Sequence, residues 1–246
     1  MIEPSVADGV HRIEDAYTNL YLVEGDGALT VVDAGVPPSW QSLGAAVRQI
    51  GRSLDDIAAI VLTHAHFDHL GFAERARGAL GIPVWVHEND VPLAHRPLLY
   101  TRLRSPLRYY ASNPGALPIL GAFVRTRAFF APPVAQVRRY SDGVLDVPGS
   151  PVVVPTPGHT VGHCSLHLTD RDVVIAGDAV VTLDPYTGRR GPRIVARAAT
   201  ADPERAVASL DALGATGART VLCGHGEPWR EGAEAIADRA RGAGVD

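Results

Sequence analysis

The 246-residue chain contains no lysine, and all 23 of its basic residues are arginine. That absence excludes a lysine Schiff base and the lysine of a phosphate-binding P-loop. Together with abundant alanine it reads as compositional bias rather than as function. Cysteine is nearly missing too: Cys164 and Cys223 are too few for a disulfide scaffold or a thiolate zinc site. Both sit in apolar, strand-like stretches and are expected as buried free thiols. No apolar run approaches the ~20 residues needed to cross a bilayer, so no membrane partner is expected. The start, Met1-Ile2-Glu3-Pro4, lacks the basic-then-apolar pattern of a signal peptide, and the expected location is the cytoplasm. A net charge of −4 gives no whole-chain case for nucleic acid.

One stretch lacks acid altogether. Between Val91 and Ser141 stand eight arginines (96, 102, 104, 108, 125, 127, 138 and 139) and no Asp or Glu, which leaves −12 on the remainder of a −4 chain.

The apolar pattern alternates between strand and helix. Val10–Ala16, Leu20–Glu24 and Ala28–Val32 read as strands, the last two joined by a Gly25-Asp26-Gly27 turn. Ser39–Ile50 has helical spacing, with Pro37 and Pro38 before it and Gly51 after it. Ile57–Leu62 is a continuous apolar run, expected as a strand buried on both faces. A helix over Phe72–Leu80 and a strand over Ile82–Val86 follow. Strands are expected again at Val144–Val147, Val152–Pro155, Cys164–Leu168, Val173–Ala176 and Thr220–Cys223, with helices at Pro203–Leu213 and Ala233–Arg241. Strand-rich halves interleaved with helices imply an α/β sandwich with function on strand-end loops. The chain is expected to be a single domain over 1–246, interrupted at 93–135 by a partly helical, arginine-rich segment.

Histidine is concentrated where one such strand ends. Three of the ten fall in His64-Ala65-His66-Phe67-Asp68-His69. Imidazole is the commonest metal-binding side chain, and protonated imidazoles this dense would repel one another. A tight loop there can turn His64 and His66 toward one ion, and Asp68 and His69 toward a second. Three further strands end in a glycine-flanked ligand type: Gly158-His159, Gly177-Asp178 and Gly224-His225-Gly226. Glycine beside each permits close backbone approach. The resulting five histidines and two aspartates suffice for two four-coordinate ions once a water is added.

In this order, His64-x-His66-x-Asp68-His69, then His159, Asp178 and His225, the chain resembles the metallo-β-lactamase-fold hydrolase superfamily. The resemblance runs from the Asp33 turn to the Gly224-His225-Gly226 loop. It implies an αββα sandwich with two divalent cations at one edge of the paired sheets, zinc first, with iron or manganese as alternatives. It places His64, His66 and His159 on one metal and Asp68, His69 and His225 on the other. Asp178 would bridge them beside a hydroxide that attacks an ester, thioester, lactone or phosphoester, with Asp68 or a metal-bound water protonating the leaving group. Asp33 is expected behind the histidine loop, fixing it by hydrogen bonds.

Departures from the pattern narrow the branch. An aspartate at 178, where a true β-lactamase of the superfamily is expected to carry cysteine, points away from antibiotic hydrolysis. His66 argues against flavodiiron redox members, which have glutamate there. Only 21 residues follow His225, leaving no counterpart of the helical glutathione-binding region of glyoxalase II. Lactonases place a tyrosine soon after the bridging aspartate, whereas the first one here is Tyr186. A mononuclear iron persulfide dioxygenase is the alternative of different chemistry, and an RNase Z-like nuclease ranks below it. The acid-free segment is read three ways: an electropositive lid for a small anionic or amphiphilic substrate, a homodimer surface, or packing with a solvated basic face. Among the remaining histidines, His163 and His87 are expected to be structural.

Overall fold

The computed structural model describes residues 1–246. Seven strands form one sheet in chain order: β1 (Ile2–Ala7), β2 (Val10–Asp15), β3 (Thr18–Gly25), β4 (Ala28–Val32), β5 (Ile57–Val61), β6 (Val84–His87) and β7 (Arg138–Tyr140). β1 to β4 are antiparallel neighbours. Asp26 and Gly27, both with positive φ, make the two-residue turn between β3 and β4 that suits the twist of a hairpin. From β4 onward the strands run parallel, because helices carry the chain back between them.

A second sheet holds β8 (Val152–Pro155), β9 (Cys164–Leu168) and β10 (Val173–Gly177). A short ribbon of β11 (Val181–Leu183) and β12 (Arg190–Arg193) follows in the chain. β13 (Thr220–Cys223) then returns beside β10, giving the order β13-β10-β9-β8. No helix is long and apolar enough to cross a membrane.

Strand periodicity explains the layering. Successive residues point to opposite faces, so a strand apolar at every position is buried on both. In β3, Leu20 and Leu22 join a core with α1 (Ser39–Gln49) and α2 (Ala73–Leu80), whereas Tyr21 and Val23 face the second sheet. Val31 and Ile60 take the first side, Val32 and Val61 the second. The second sheet divides likewise. Val173, Ile175 and Leu222 meet the first sheet, while Val174, Ala176 and Val221 meet α6 (Pro203–Gly214) and α7 (Ala233–Ala243). The result is helix, sheet, sheet, helix: the expected αββα sandwich. Each fully buried aliphatic side chain contributes about 1.5–3 kcal/mol.

The expected strand at Val144–Val147 does not form. Val144 makes a single bridge to Val152, and Leu145 and Val147 instead plug the space between the sheets. The arginine-rich segment contains α3 (Val91–Ala94), whose start precedes it, α4 (Pro106–Ser112) and α5 (Leu117–Arg125). Ile119 and Phe123 of α5 join the outer core of the first sheet. Tyr109 and Tyr110 of α4 pack with Tyr186 and the alanines at 196, 198 and 199.

Candidate metal centre

The histidine loop begins where β4 and β5 end side by side. Val32 pairs with Val61, so Asp33 and Thr63 leave the sheet next to each other. Asp33 takes a left-handed backbone with φ 62°. Its Oδ1 accepts from the Thr63 amide at 2.8 Å, and both carboxylate oxygens accept from the Thr63 hydroxyl. That hydroxyl has one proton, and Asp33 takes it. His64 Nδ1, 3.0 Å from the same oxygen, must therefore be the donor there.

The same accounting assigns the other rings. His69 Nδ1 donates to Asp33 Oδ2 at 2.9 Å, and His225 Nδ1 donates to the Tyr17 carbonyl at 2.8 Å. The Thr200 hydroxyl donates to the Val195 carbonyl, so His159 Nδ1 is the donor in its longer 3.5 Å contact with Thr200. Each of these four histidines thus has its Nδ1 proton engaged behind it and Nε2 facing inward, the usual support of a metal-binding imidazole. His163 has the same tautomer, but its Nε2 lone pair is already used. Its Nε2 accepts from the Asp178 amide at 3.0 Å and its Nδ1 lies 2.9 Å from the Thr156 hydroxyl. It holds Asp178 in place and has no ring nitrogen left for an ion.

The remaining ligand types arrive on the second sheet. Gly177 pairs with Cys223 in the parallel β10–β13 ladder, which brings Asp178 and His225 to the same edge. A Cβ on Gly224 would lie 2.1 Å from Asp178 Oδ1 and 2.8 Å from His69 Cε1, so the close approach expected of a glycine is met there. Buried Asp90 ties the two halves together. Its Oδ2 accepts from the Ala65 amide and the Thr160 hydroxyl, and its Oδ1 from the Gly162 amide at 2.7 Å. Thr63, Asp90, Tyr17 and Thr200 carry no signal of these roles in the sequence.

The fold gathers all seven expected residues in one buried cluster. Candidate ligand atoms of His64, His66 and His159 lie within 4.8 Å of one another, as do those of Asp68, His69 and His225. Asp178 stands between the groups: Oδ2 is 3.4 Å from His159 Nε2 and 3.3 Å from His225 Nε2, and Oδ1 is 3.6 Å from His69 Nε2. A third grouping, Asp33 with His64 and His69, is accounted for by the bonds of Asp33 to Thr63 and to His69 Nδ1.

Burial and charge treat the two trios differently. Burial, reinforced by neighbouring imidazoles, drives His64 and His159 well below the usual histidine range and His66 down to about 3. These rings are neutral and ready to donate lone pairs. Burial also acts on His69, but the carboxylates of Asp178, Asp68 and Asp33 outweigh it and raise that ring to about 10. His225 is raised in the same way by Asp178 and Asp68. Burial opposes charge on Asp178 too, yet His225 and His69 hold its carboxyl well below the usual carboxylate range. Burial pushes both thiols up to about 12, which keeps them out of the chemistry.

The donor set fits metal cations. His64, His66 and His159 each carry a buried Nε2 with no hydrogen-bond partner, and Asp178 Oδ1 is also unpartnered. Unsatisfied buried polar atoms cost about 1–3 kcal/mol each, so four converging on one spot are the donor set that a cation would satisfy.

The surrounding sequence and fold have known counterparts. The chain is 28% identical over 237 residues to the probable metallo-hydrolase YflN of Bacillus subtilis, covering 90% of this chain and 85% of that protein. It is 34% identical over 124 residues to the probable metallo-hydrolase YqgX of the same organism, about half of each chain. Among solved structures, the metallo-β-lactamase family protein TTHA1429 from Thermus thermophilus superposes with a TM-score of 0.69 at 26% identity, covering 96% of this chain and 79% of that one. The di-iron-bound form of TTHA1623 does so with a TM-score of 0.63 at 29% identity, covering 91% and 95%. Residues 13–225 match the family profile of the metallo-β-lactamase superfamily. With that match across most of the sandwich and the whole histidine cluster, the chain belongs to the metallo-β-lactamase superfamily and stands within it among the metallo-hydrolases.

Proposed function

We propose that the protein is a two-metal hydrolase of a small ester, thioester, lactone or phosphoester. The observation that carries this reading is the pair of inward-facing ligand trios with Asp178 between them. His64, His66 and His159 would hold one divalent cation and Asp68, His69 and His225 the other. Two such ions supply Lewis acidity, which brings a water's pKa down toward ~7 and polarises an electrophilic oxygen. Zinc is the proposed metal. Iron is the second reading, on the specific observation that TTHA1623 is di-iron-bound.

The chain's own groups do the rest. Asp178 balances the charge of the facing rings, and His163 fixes it through its backbone amide. Burial raises the carboxyl of Asp68, whose Oδ2 lies 3.5 Å from His225 Nε2. It is placed to hold the proton that the nucleophilic water loses and to pass it to the departing atom. Asp33 acts behind the loop through Thr63 and His69. The segment at 93–135 is read as a lid within one continuous domain.

Chelation tests the reading directly. Protein loaded with zinc should hydrolyse at least one class in a panel of carboxylic esters, thioesters, lactones and phosphodiesters. That activity should vanish with a chelator and return with added metal. Activity that survives complete metal removal would contradict it.

Two further outcomes follow from the same geometry. Asp33→Ala removes the acceptor from Thr63 and from His69 Nδ1, and titration with a chromophoric competitor should show metal affinity lowered about 10–100-fold. An affinity unchanged from the native protein would assign Asp33 to the turn alone. The second concerns protons. His69 is raised to about 10 in the metal-free protein and His225 is raised too, so at pH 7 the His69 ring must lose its proton before Nε2 can bind a cation. Metal affinity should therefore rise with pH through neutrality and level off above about 10, the value for His69. Calorimetric binding heats should scale with the buffer's ionisation enthalpy, and heats independent of the buffer would count against this charge distribution.

A further inference from the structure

A cavity of ≈ 730 Å³ opens between the arginine-rich segment and the loop that follows β11. Its volume falls within the range of small-molecule sites, and its lining is mainly apolar: Leu103, Leu107, Leu120 and Phe129 along its length. Tyr100, whose hydroxyl lies 3.5 Å from that of Tyr186, forms one of its walls. The ring of Tyr100 is 4.7 Å from the ring of His66, so this wall is one aromatic ring thick on the side of the metal centre. A polar head held at Tyr100 would therefore lie on the side of the ligand cluster.

Positive charge lies beside the same wall. The Arg102 guanidinium lies 5.8 Å over the Tyr100 ring, and Arg104 also borders the cavity. Both are exposed and neither has an ion-pair partner. No carboxylate side chain occurs anywhere from Val91 to Ser141 to compensate them. Leu103 and Leu107 are 52% and 76% exposed at the opening, apolar area that water covers at a cost and a hydrocarbon would cover with gain. Cationic charge beside the metal centre and apolar surface leading away from it define an occupant with a negative or strongly polar head and an aliphatic tail.

We propose that this cavity takes the hydrocarbon chain of an anionic amphiphile of the fatty-acyl class, with its head at Tyr100 and Arg102 and its tail along Leu103, Leu107, Leu120 and Phe129. The binding stands on the cavity alone. Only the fate of the head group, cleavage once Tyr100 admits it to the metal centre, rests on the hydrolase reading above.

Displacement of a fluorescent probe, dansyl-undecanoic acid, from the metal-loaded protein tests it. Unlabelled alkanoates of four to twelve carbons should displace the probe with affinity rising up to ~4-fold per added methylene, the ratio for full burial of each. Decanoate should bind more tightly than decanol, and decanol more tightly than decyltrimethylammonium. Arg102→Ala should weaken decanoate about 10-fold while leaving decanol within twofold, an outcome that separates the arginine from attraction of carboxylate to the metals. The paired Leu103→Gln and Leu107→Gln substitutions lie at exposed positions that do not carry the fold, and should flatten the chain-length series. A flat series in the native protein, or decanoate and the cation binding equally, would overturn the proposal. Chain-length-dependent binding without hydrolysis of any fatty-acyl ester would leave the cavity assigned and overturn cleavage of its occupant, whereas loss of all hydrolysis across the wider substrate panel would overturn the hydrolase reading.

Discussion

Replacing Asp178 with alanine is expected to lower hydrolysis about 10³-fold and to strip the protein of most of its metal. Asp178 is buried, and its two oxygens are within 3.3–3.6 Å of the Nε2 atoms of His159, His225 and His69. No other carboxylate in the cluster touches both trios. Removing it leaves the raised imidazoles of His69 and His225 without their main counter-charge. Breaking a buried charge pair in this way costs about 3–5 kcal/mol, and about 4 kcal/mol of lost transition-state stabilisation is the stated thousandfold. Asp178→Asn separates charge from shape, because it keeps the packing and removes the ionisable oxygen. Steady-state rates and bound metal should fall together in both variants. Full metal content and an unchanged rate in the asparagine variant would mean that the carboxylate is structural.

Gly224→Ala should damage the same site from behind. The added methyl would sit 2.1 Å from Asp178 Oδ1, well inside van der Waals contact. The backbone cannot retreat, because the Gly224 amide donates to the Gly177 carbonyl at 2.7 Å and its carbonyl accepts from the Asn19 amide at 2.8 Å. Asp178 and His69 must therefore shift. Overpacking of this kind costs about 3 kcal/mol, which for a chain of this length lowers the thermal midpoint by roughly 6–12 °C. Gly27→Ala is the control: its Cβ meets nothing within 4 Å, and only its positive φ is at stake. That change should cost about 1 kcal/mol and leave metal content alone. Equal melting shifts in the two variants would show that crowding at Gly224 has no particular consequence.

The layered core was legible because its strands are apolar at every position. Leu20-Tyr21-Leu22-Val23 and Ile57–Val61 announce burial on both faces without any tertiary knowledge. The strands left unread are short or lie at edges. β1 carries Glu3, Pro4 and Ser5, with Ser5 at φ 54° where the register to β2 shifts. β7 is only Arg-Arg-Tyr, held by its parallel pairing to β6. Conversely, Val144–Val147 has strand composition but is followed by Pro148-Gly149, and it turns inward as a plug.

The candidate site divides along similar lines. Its seven ligand types stand out because three histidines fall within six residues and each distant member has a glycine neighbour. The groups behind them do not. Thr63 is one threonine among many until β4 places Asp33 beside it, and Asp90 sits in a Glu-Asn-Asp turn that resembles any solvated bend. The Tyr17 carbonyl, which receives the His225 proton, has no side-chain signature at all. Support of this kind depends on partners between about 30 and more than 200 positions away in the chain. The arginine-rich segment showed its charge but not its cavity, which exists only where α4 and α5 close against the loop around Tyr186.

The most direct test of the two-metal account is the metal content per chain, by elemental analysis of protein purified without a histidine tag. Two divalent ions per chain are predicted, held in the paired trios. A single iron per chain, or none in protein that is folded and active, would contradict the account.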